Sequence, residues 1–388
     1  MPFSRRDFVQ NSLAAAIPGA AIRKTWMERF ASTSLRRLEL PSPDSPIFLD
    51  HNENAYGPSE RVRAVLASSA ETKGNRYPRN QYDALQSQLA TLHAVDEKQV
   101  LLGCGSSEIL RLAATRLVAD SPTRKCLIQA LPTYPSLGKF ARSIGANVID
   151  VPLEKKFAHD LEAMRKHADK EHASGLFYIC NPNNPTGTLT ERADMETFVR
   201  KLPRSFIVLI DEAYSHFVSP HTAYASFLEK PLQDPRIIVC RTFSKVYGLA
   251  GMRIGYAVGH PDVLQTLAAS QLRYGIATLA AKAAVAALED ADYVRAAIAR
   301  NADDRQEFMN QTSIRMLRAI NSHANFVMLD ALRPSEMVLE HLKAHHILVA
   351  PVMAPMNQYI RVSLGTPDEM REFWKVIDLL PPTGKMAM

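Results

Sequence analysis

Four polar residues lie within twelve positions of one another in the stretch CRTFSKVYGLAGMRIGYAVG, residues 240–259. They are Thr242, Ser244, Lys245 and Arg253, and they stand between the apolar run RIIVC and the glycine-punctuated run GMRIGYAVG. Such apolar runs predict buried strands, and a buried strand seldom holds Lys or Arg without a partner. A bound anion or a reactive carbonyl would supply that partner.

Two further stretches place polar groups directly after apolar runs. In LLGCGSSE, Ser106 and Ser107 open an amphipathic helix, and a helix N-terminus favours a phosphate. Ser shortly before Glu is also typical of an ordinary helix start. In CNPNNPTG, a plain turn explains the Pro and Gly, but asparagines such as Asn184 also offer amide donors to a cleft.

Asp211 ends the apolar run FIVLI in the sequence IDEAY. An acid at the end of a strand is usually solvated, but one held in a low-dielectric position is stabilised by a cation or a protonated ring nitrogen. Ligands of α/β sheets bind outside the carboxyl ends of the strands. The four stretches are therefore the candidates for a binding cleft.

The elements that position these residues follow from alternation along the chain. Short apolar runs alternate with helical patterns, which predicts an α/β fold with a mostly parallel sheet buried on both faces. The runs are KCLIQA, NVIDVP, GLFYICN, SFIVLIDEA, RIIVCRTFSK and MRIGYAVG. Residues 261–310 are Ala-rich and helical, and the runs ANFVMLD, HILVAPV and YIRVSLG then predict a smaller α+β domain.

The domain organisation is predicted as four segments. Residues 1–44 form a leader and a Pro-rich linker, and 45–75 an N-terminal arm and part of the small domain. Residues 76–300 form the large domain and 301–388 the C-terminal small domain. The leader joins twin arginines, Arg5 and Arg6, to the weakly apolar NSLAAAIPGAA, and resembles a Tat export signal. We therefore expect a periplasmic or exported protein; the alternative is a charged, disordered leader on a cytoplasmic one.

Composition excludes several classes of function. The net charge is +6, but residues 1–37 hold seven Lys or Arg against two Asp or Glu, so the body is close to neutral and nucleic-acid binding is not indicated. No run reaches the ~18 apolar residues of a membrane span. The widely spaced cysteines predict buried thiols rather than metal ligands or disulfides, and no metal is expected. They are Cys104, Cys126, Cys180 and Cys240.

The ordered set of motifs resembles the fold-type-I pyridoxal-phosphate aminotransferases, and most closely their histidinol-phosphate aminotransferase branch. The resemblance runs over nearly the whole body. It is carried by LDHNENAYGP, NRYPRNQY, GCGSSE, PTYP, NPNNPTG, DEAY, TFSKVYGLAGMRIGY, ANF and YIRVSLGT. It implies a large domain with a mostly parallel sheet sandwiched by helices, a smaller α+β domain, and pyridoxal 5'-phosphate as the cofactor.

The resemblance also implies roles for residues around the cofactor ring. Lys245 would form a covalent Schiff-base link to the cofactor aldehyde and then move a proton between substrate and cofactor. Asp211 would pair with the pyridine nitrogen. Asn184 and Tyr214 would hydrogen-bond the ring's phenolate oxygen, and Tyr134 would stack on the ring face.

The phosphate of the cofactor would be held by a second group of residues from the same resemblance. These are Ser106, Ser107, Thr242, Ser244 and Arg253. Tyr77, in NRYP, matches a family tyrosine that reaches the cofactor phosphate of the neighbouring subunit. A homodimer would then be the catalytic unit.

The substrate would meet three further residues. Arg361 would grip a carboxylate or phosphate with its planar fork, unless it is a surface residue of an edge strand. Asn54 and Tyr56 would sit over the substrate entrance. The sequence departs from the family at this entrance, because Ala55 replaces the usual proline and His51 precedes the motif, so substrate is less firmly indicated than cofactor.

The function implied is transfer of an amino group from a donor to a 2-oxo acid through Lys245. A donor like histidinol phosphate ranks first, and an aromatic or other amino acid second. A decarboxylase resembling threonine-phosphate decarboxylase shares the cofactor set and the anion-gripping arginine. A regulator that only senses the cofactor usually carries a DNA-binding module, and no segment of helix-turn-helix size precedes the body.

Overall fold

A computed structural model describes residues 41–78, 80–119, 126–170, 174–229, 234–351 and 356–381. The predicted export signal, with Arg5 and Arg6, lies outside the described residues. Contacts divide the chain into two units, residues 1–45 and 46–388. In the first unit, residues 41–45 form a short turn in which Ser42 and Ser45 are bridged.

The strands of the described part form two sheets. In chain order they are β1 (Ile47–Leu49), β2 (Val100–Gly103), β3 (Cys126–Leu131), β4 (Asn147–Pro152), β5 (Gly175–Cys180), β6 (Phe206–Asp211), β7 (Ile237–Thr242), β8 (Gly255–Val258), β9 (Arg318–Ala319), β10 (Phe326–Asp330), β11 (Ile347–Pro351) and β12 (Tyr359–Ser363). The larger sheet has the order β2-β8-β7-β6-β5-β3-β4. In this sheet β8 runs in the direction opposite to that of the other six strands. The predicted α/β fold with a mostly parallel sheet is confirmed.

Helices cover both faces of this larger sheet. The helices of the described part are α1 (Glu60–Lys73), α2 (Asn80–His93), α3 (Ser106–Ala113), α4 (Ser136–Ser143), α5 (Leu161–Lys170), α6 (Arg192–Lys201), α7 (Pro261–Ala268), α8 (Thr278–Leu288), α9 (Ala291–Ile314), α10 (Ser335–Ala344) and α11 (Pro367–Asp378). Successive strand residues point to opposite faces. Thus Phe177 and Val208 belong to one apolar core, and Leu176 and Leu209 to another. This double burial explains why the strands are continuously apolar.

The smaller sheet has the order β1-β11-β12-β10-β9. Strand β1 pairs with β11 in parallel, and the other pairs are antiparallel. Its core, with Phe308, Phe373 and Trp374, lies against α9 and α11. Strand β12, which carries Arg361, is central rather than at an edge. The division of the body at residues 75 and 300 stays a prediction.

Two expectations from composition meet the structure directly. Cys126, Cys180 and Cys240 are buried thiols and Cys104 is a partly buried one, so burial is confirmed for three of the four. Among the helices described, none is long and apolar enough to cross a membrane.

Candidate active site

A cavity of about 340 Å³ opens at the carboxyl ends of β5, β6 and β7 and at the start of α3. Eleven of the fourteen predicted site residues line it, although they come from distant parts of the chain. These are Ser106, Ser107, Tyr134, Asn184, Asp211, Tyr214, Thr242, Ser244, Lys245, Arg253 and Arg361. A larger cavity, of about 700 Å³ beside α5 and α6, contains none of the fourteen, so size alone does not mark the reactive cavity.

Lys245 lies in the short loop that follows β7. Its Nζ donates hydrogen bonds to the backbone carbonyls of His51, at 3.0 Å, and Asn52, at 2.9 Å. Burial, and after it the positive charge of Arg361, lower the pKa of the amine to about 8. The neutral, nucleophilic form of the amine is therefore more populated near neutral pH than that of an ordinary lysine.

Asp211 closes β6 and is almost fully buried. One carboxylate oxygen accepts a hydrogen bond from the Tyr178 hydroxyl at 3.0 Å, and the other accepts one from the backbone N–H of Ala213 at 3.1 Å. Burial nevertheless raises the pKa of Asp211 to about 6. A cation inside the cavity would restore the charged carboxylate.

A hydrogen-bonded group surrounds the hydroxyl of Tyr214. This oxygen accepts from the side-chain amide of Asn52, at 3.0 Å, and from that of Asn184, at 3.1 Å. Burial raises the pKa of Tyr214 well above its ordinary value, which keeps the phenol protonated. Since both contacts are accepted, the O–H proton remains for donation to a ligand oxygen. Arg361 Nη1 completes the group by donating to Asn184 Oδ1 at 2.7 Å.

The opposite end of the cavity is shaped to hold an anion. Helix α3 begins at Ser106 after Gly105, whose φ is +70°. A Cβ added at Gly105 would lie 2.5 Å from Arg253 Nη2, so only glycine lets the guanidinium approach the helix N-terminus. Backbone N–H groups at such a terminus attract phosphate.

Hydroxyl groups line the same end. Thr242 Oγ1 donates to Ser244 Oγ at 2.9 Å and accepts from the Ser244 backbone N–H at 3.1 Å. Arg253 has a left-handed backbone, with φ of +50°, and its Nη1 donates to the Ala250 carbonyl at 2.9 Å. This loop geometry gathers two hydroxyls and one guanidinium around the start of α3.

Residues 50–54 form a wall that sequence reasoning did not resolve, and its members 51–53 line the cavity. The backbone N–H of Asn52 donates to Ser363 Oγ at 2.8 Å. Asn325 Nδ2 donates to the carbonyls of Asn52, at 3.0 Å, and Glu53, at 3.1 Å. Arg361 Nη2 donates to the Asp50 carbonyl at 2.5 Å. The motifs NEN and ANF were visible in the sequence, but nothing there indicated that they contact each other.

The same wall packs closely on the loop that carries Lys245. Gly248 has a φ of +69°, and a Cβ added to it would lie 2.5 Å from the backbone of Gly57. In the same two segments, Asn54 Nδ2 donates to the Val246 carbonyl at 3.0 Å. The arm and the lysine loop are therefore in backbone-to-backbone contact.

Three predicted site residues do not line the cavity. Asn54 is the first of them. Tyr56 is the second, and its hydroxyl donates to Asp304 Oδ2, on α9, at 3.0 Å. Tyr77 is 75% exposed, and its ring stacks on Tyr274 with centroids 4.9 Å apart. Their assignment to substrate and cofactor stays a prediction.

This combination of a buried acid, an amine of lowered pKa and an anion cup on an α/β sheet defines a fold-type-I enzyme that binds pyridoxal phosphate. The model of the family aminotransferase class I and II matches residues 45–377, so the chain belongs to that family. Its cofactor is pyridoxal 5'-phosphate, and its activity is transamination.

Several known proteins similar to this chain are named histidinol-phosphate aminotransferase. Histidinol-phosphate aminotransferase 1 of Idiomarina loihiensis is 34% identical over 336 residues, which is 86% of this chain and 89% of the relative. Histidinol-phosphate aminotransferase 2 of Carboxydothermus hydrogenoformans is 33% identical over 84% of this chain and 88% of the relative. The crystal structure of histidinol-phosphate aminotransferase from Sinorhizobium meliloti in complex with pyridoxal-5'-phosphate is 26% identical. It has a TM-score of 0.79 and covers 89% of this chain and 97% of that one.

The residues of the cavity fit this cofactor chemically. The cup of Ser106, Thr242, Ser244 and Arg253 suits a phosphate. Asp211, whose charged form needs a cationic partner, suits a protonated ring nitrogen.

Proposed function

We propose that this chain takes the amino group from histidinol phosphate and passes it to a 2-oxo acid. The main support is Arg361. Its guanidinium lines the cavity and donates from Nη1 to the Asn184 side chain and from Nη2 to the Asp50 carbonyl. Each of these nitrogens carries a second N–H group, which an anionic group of the substrate can accept. The names of the relatives agree with a phosphorylated donor.

The residue roles in this proposal follow from the contacts described above. When bound, pyridoxal phosphate supplies an aldehyde that receives the amino group and a ring that accepts the electron pair left at the substrate Cα. Lys245 Nζ would hold the cofactor through its aldehyde carbon until the amino group of the donor displaces it, and the freed amine would then move the proton from the substrate Cα to that aldehyde carbon. Asp211 would hold the proton on the ring nitrogen. Tyr214 and Asn184 would orient the ring through its phenolate oxygen.

Single-turnover spectroscopy tests the donor. The yellow holoenzyme is mixed with histidinol phosphate, phenylalanine, tyrosine and other amino donors, and loss of the yellow absorbance is followed. Histidinol phosphate should bleach the enzyme fastest. Bleaching by phenylalanine or tyrosine, but not by histidinol phosphate, would favour the aromatic donor instead. Analysis of the products separates the third reading, because a decarboxylase releases an amine and carbon dioxide rather than a keto product.

The proposal includes a homodimer in which Tyr77 of one subunit contacts the cofactor phosphate of the other. Support comes from exposure, because Tyr77 and the stacked Tyr274 face outward and do not line the cavity of their own chain. Tyr77→Phe should weaken binding of the cofactor phosphate only modestly. If Tyr77→Ala and Lys245→Ala each abolish activity, mixed dimers should regain part of it. Mixed dimers without activity would mean that Tyr77 serves its own subunit.

Export through the Tat pathway is the remaining part of the proposal. It depends on Arg5 and Arg6 in the leader, and Tat transport suits an enzyme that acquires its cofactor before export. Replacing both arginines with lysine should retain the protein in the cytoplasm, as measured by cell fractionation. Wild-type protein found there uncleaved would refute export.

A further inference from the structure

A buried ion pair lies directly behind the cavity, on the far side of the strands that carry its residues. Glu212 follows Asp211, and Arg241 precedes Thr242. Side chains alternate along a strand, so these neighbours of cavity residues point away from it. Consistent with this, neither Glu212 nor Arg241 lines the cavity.

Both side chains of the pair make several hydrogen bonds. Arg241 donates to Glu212 Oε2 from Nε, at 3.1 Å, and from Nη2, at 2.9 Å. Ser226 Oγ donates to the same oxygen at 2.6 Å, and the backbone N–H of Phe227 donates to Oε1 at 2.9 Å. The side chains are only 1% (Glu212) and 6% (Arg241) exposed. Well-packed apolar residues often match or exceed the stability of a buried ion pair, so stability alone does not account for it.

The pair continues into the next strand. Arg241 stands opposite Tyr256 in the pairing of β7 with β8, and the Tyr256 hydroxyl lies 2.9 Å from His93 Nε2 on α2. The ends of β6, β7 and β8 are thereby joined behind the cavity by side chains as well as by the backbone ladder.

The charge of the pair also acts on Asp211. Burial is the main cause of the raised pKa of Asp211, and the negative charge of Glu212 raises it further. The other titratable groups that face Asp211 are Tyr178, Cys180, Tyr214, Cys240 and Lys245. Behind it, Arg241 faces Tyr224, Glu229, Tyr247, Tyr256, His93 and His216. Because the guanidinium of Arg241 is hydrogen-bonded to Glu212, its positive charge opposes the effect of the Glu212 charge on the surroundings of the pair.

We propose that Arg241 and Glu212 are positioning residues that hold Asp211 and Thr242 at a fixed separation and keep the charge behind Asp211 balanced. One ion pair would thereby align Asp211 and Thr242, the residues proposed to hold two ends of the cofactor. The importance of the pair for the reaction rests on the proposed role of Asp211. Its effect on the ionisation of Asp211 is independent of that role.

The experiment measures the ionisation of Asp211 in the cofactor-free protein, by the infrared band of its protonated carboxyl. The band is assigned by its loss in Asp211→Asn. Glu212→Gln leaves a guanidinium that cannot lose its proton, so the midpoint of Asp211 should fall by about one pH unit. Arg241→Met should raise it, and the double variant should return it toward the wild-type value. Arg241→Lys keeps the charge and should leave the midpoint in place.

The holoenzyme supplies the second readout. Arg241→Lys loses the two-pronged contact, so pyridoxal phosphate should dissociate several-fold more readily while the midpoint of Asp211 stays unchanged. If Arg241→Met does not fold, Glu212→Gln and Arg241→Lys still separate charge from geometry. The charge-balancing role would be overturned if the titration midpoint of Asp211 did not change in Glu212→Gln. It would also be overturned if the midpoint shifted in the same direction in Glu212→Gln and in Arg241→Met. Unchanged cofactor affinity in Arg241→Lys would overturn the positioning role. Neither result depends on whether Asp211 contacts the ring, so a failure here is distinct from a failure of the proposed function.

Discussion

The floor and the wall of the cavity are built in different ways. We call the floor the ends of β6 and β7 with the loop of Lys245 and the start of α3, and the wall residues 50–54 with Arg361. The strands of the floor belong to the continuous hydrogen-bond ladder of the large sheet and are backed by a buried ion pair. In the wall, Arg361 stands on the central strand β12 of the smaller sheet, but residues 50–54 are held chiefly by hydrogen bonds with the side chains of Asn325 and Ser363. The strand ends that fit the cofactor are therefore fixed by the fold, whereas residues 50–54 depend on a few replaceable side chains.

The largest effect is expected from Lys245→Ala, on the floor. Loss of the amine should remove covalent cofactor attachment and turnover while the fold is kept, because the side chain contributes only two hydrogen bonds to carbonyls. Reduction with borohydride followed by mass spectrometry should detect no cofactor adduct. Lys139→Ala, at an exposed site on α4, should label normally. An adduct and wild-type turnover in Lys245→Ala would refute the assignment.

Asp211→Asn should cost about 10²- to 10³-fold in kcat, or roughly 3–4 kcal/mol of barrier, the scale of one preorganised charge. The amide keeps the shape and should still bind cofactor. Steady-state kinetics on the loaded variant test this, with the exposed Asp262→Asn as the control. Unchanged kinetics would mean that the ring nitrogen has another partner.

The raised pKa of Asp211 also predicts how the cofactor-free protein responds to pH. With a pKa of about 6 when folded and the ordinary aspartate value of 3.8 when unfolded, the folded chain holds an extra proton between these values. The contribution of Asp211 to the free energy of unfolding should therefore fall by about 2 kcal/mol as pH rises from 4 to 7. The free energy of unfolding, measured with denaturant, should therefore decrease with pH more steeply in the wild type than in Asp211→Asn. Parallel pH profiles would contradict it.

On the wall, Arg361→Lys should raise KM for an anionic donor by about 10- to 100-fold, roughly 1.5–3 kcal/mol, because an ammonium cannot reproduce the fork. The kcat should change less, since the contact is remote from the reacting carbon. Kinetics on a neutral donor and on the exposed variant Arg371→Lys provide the controls. Equal losses for anionic and neutral donors would assign Arg361 to the wall's structure alone.

The smallest effect is expected from Asn325→Ala. It removes two hydrogen bonds to wall carbonyls and should cost about 1–3 kcal/mol in the free energy of unfolding. KM for the donor should rise while cofactor affinity stays near wild type. Asn310→Ala, exposed on α9, should lie within about 0.5 kcal/mol of wild type. A larger loss of cofactor affinity than of donor affinity would remove the distinction between floor and wall.

The floor and Arg361 could be predicted from sequence, but the contacts of residues 50–54 could not, for a physical reason. Asp211 and Thr242 end apolar runs, and parallel strands bring such ends to one edge. The bond between Asn325 and Asn52 joins residues 273 positions apart, and no local pattern encodes that separation. The rule that a buried cation needs a partner was sound, but for Arg241 the partner is Glu212 rather than a ligand. The resemblance predicts Asn54 and Tyr56 at the substrate entrance, but neither lines the cavity: Asn54 donates to the Val246 carbonyl and the Tyr293 hydroxyl, and Tyr56 donates to Asp304.

The close approach of Gly248 to Gly57 limits how this enzyme can be re-engineered. With 2.5 Å available to any added Cβ, the two backbones fit only as a matched pair. Grafting the arm of another aminotransferase onto this chain, to borrow its donor range, would import a turn shaped for a different lysine loop. The transplantable unit is therefore residues 50–58 together with residues 245–248, although nearly two hundred positions separate them in the gene product.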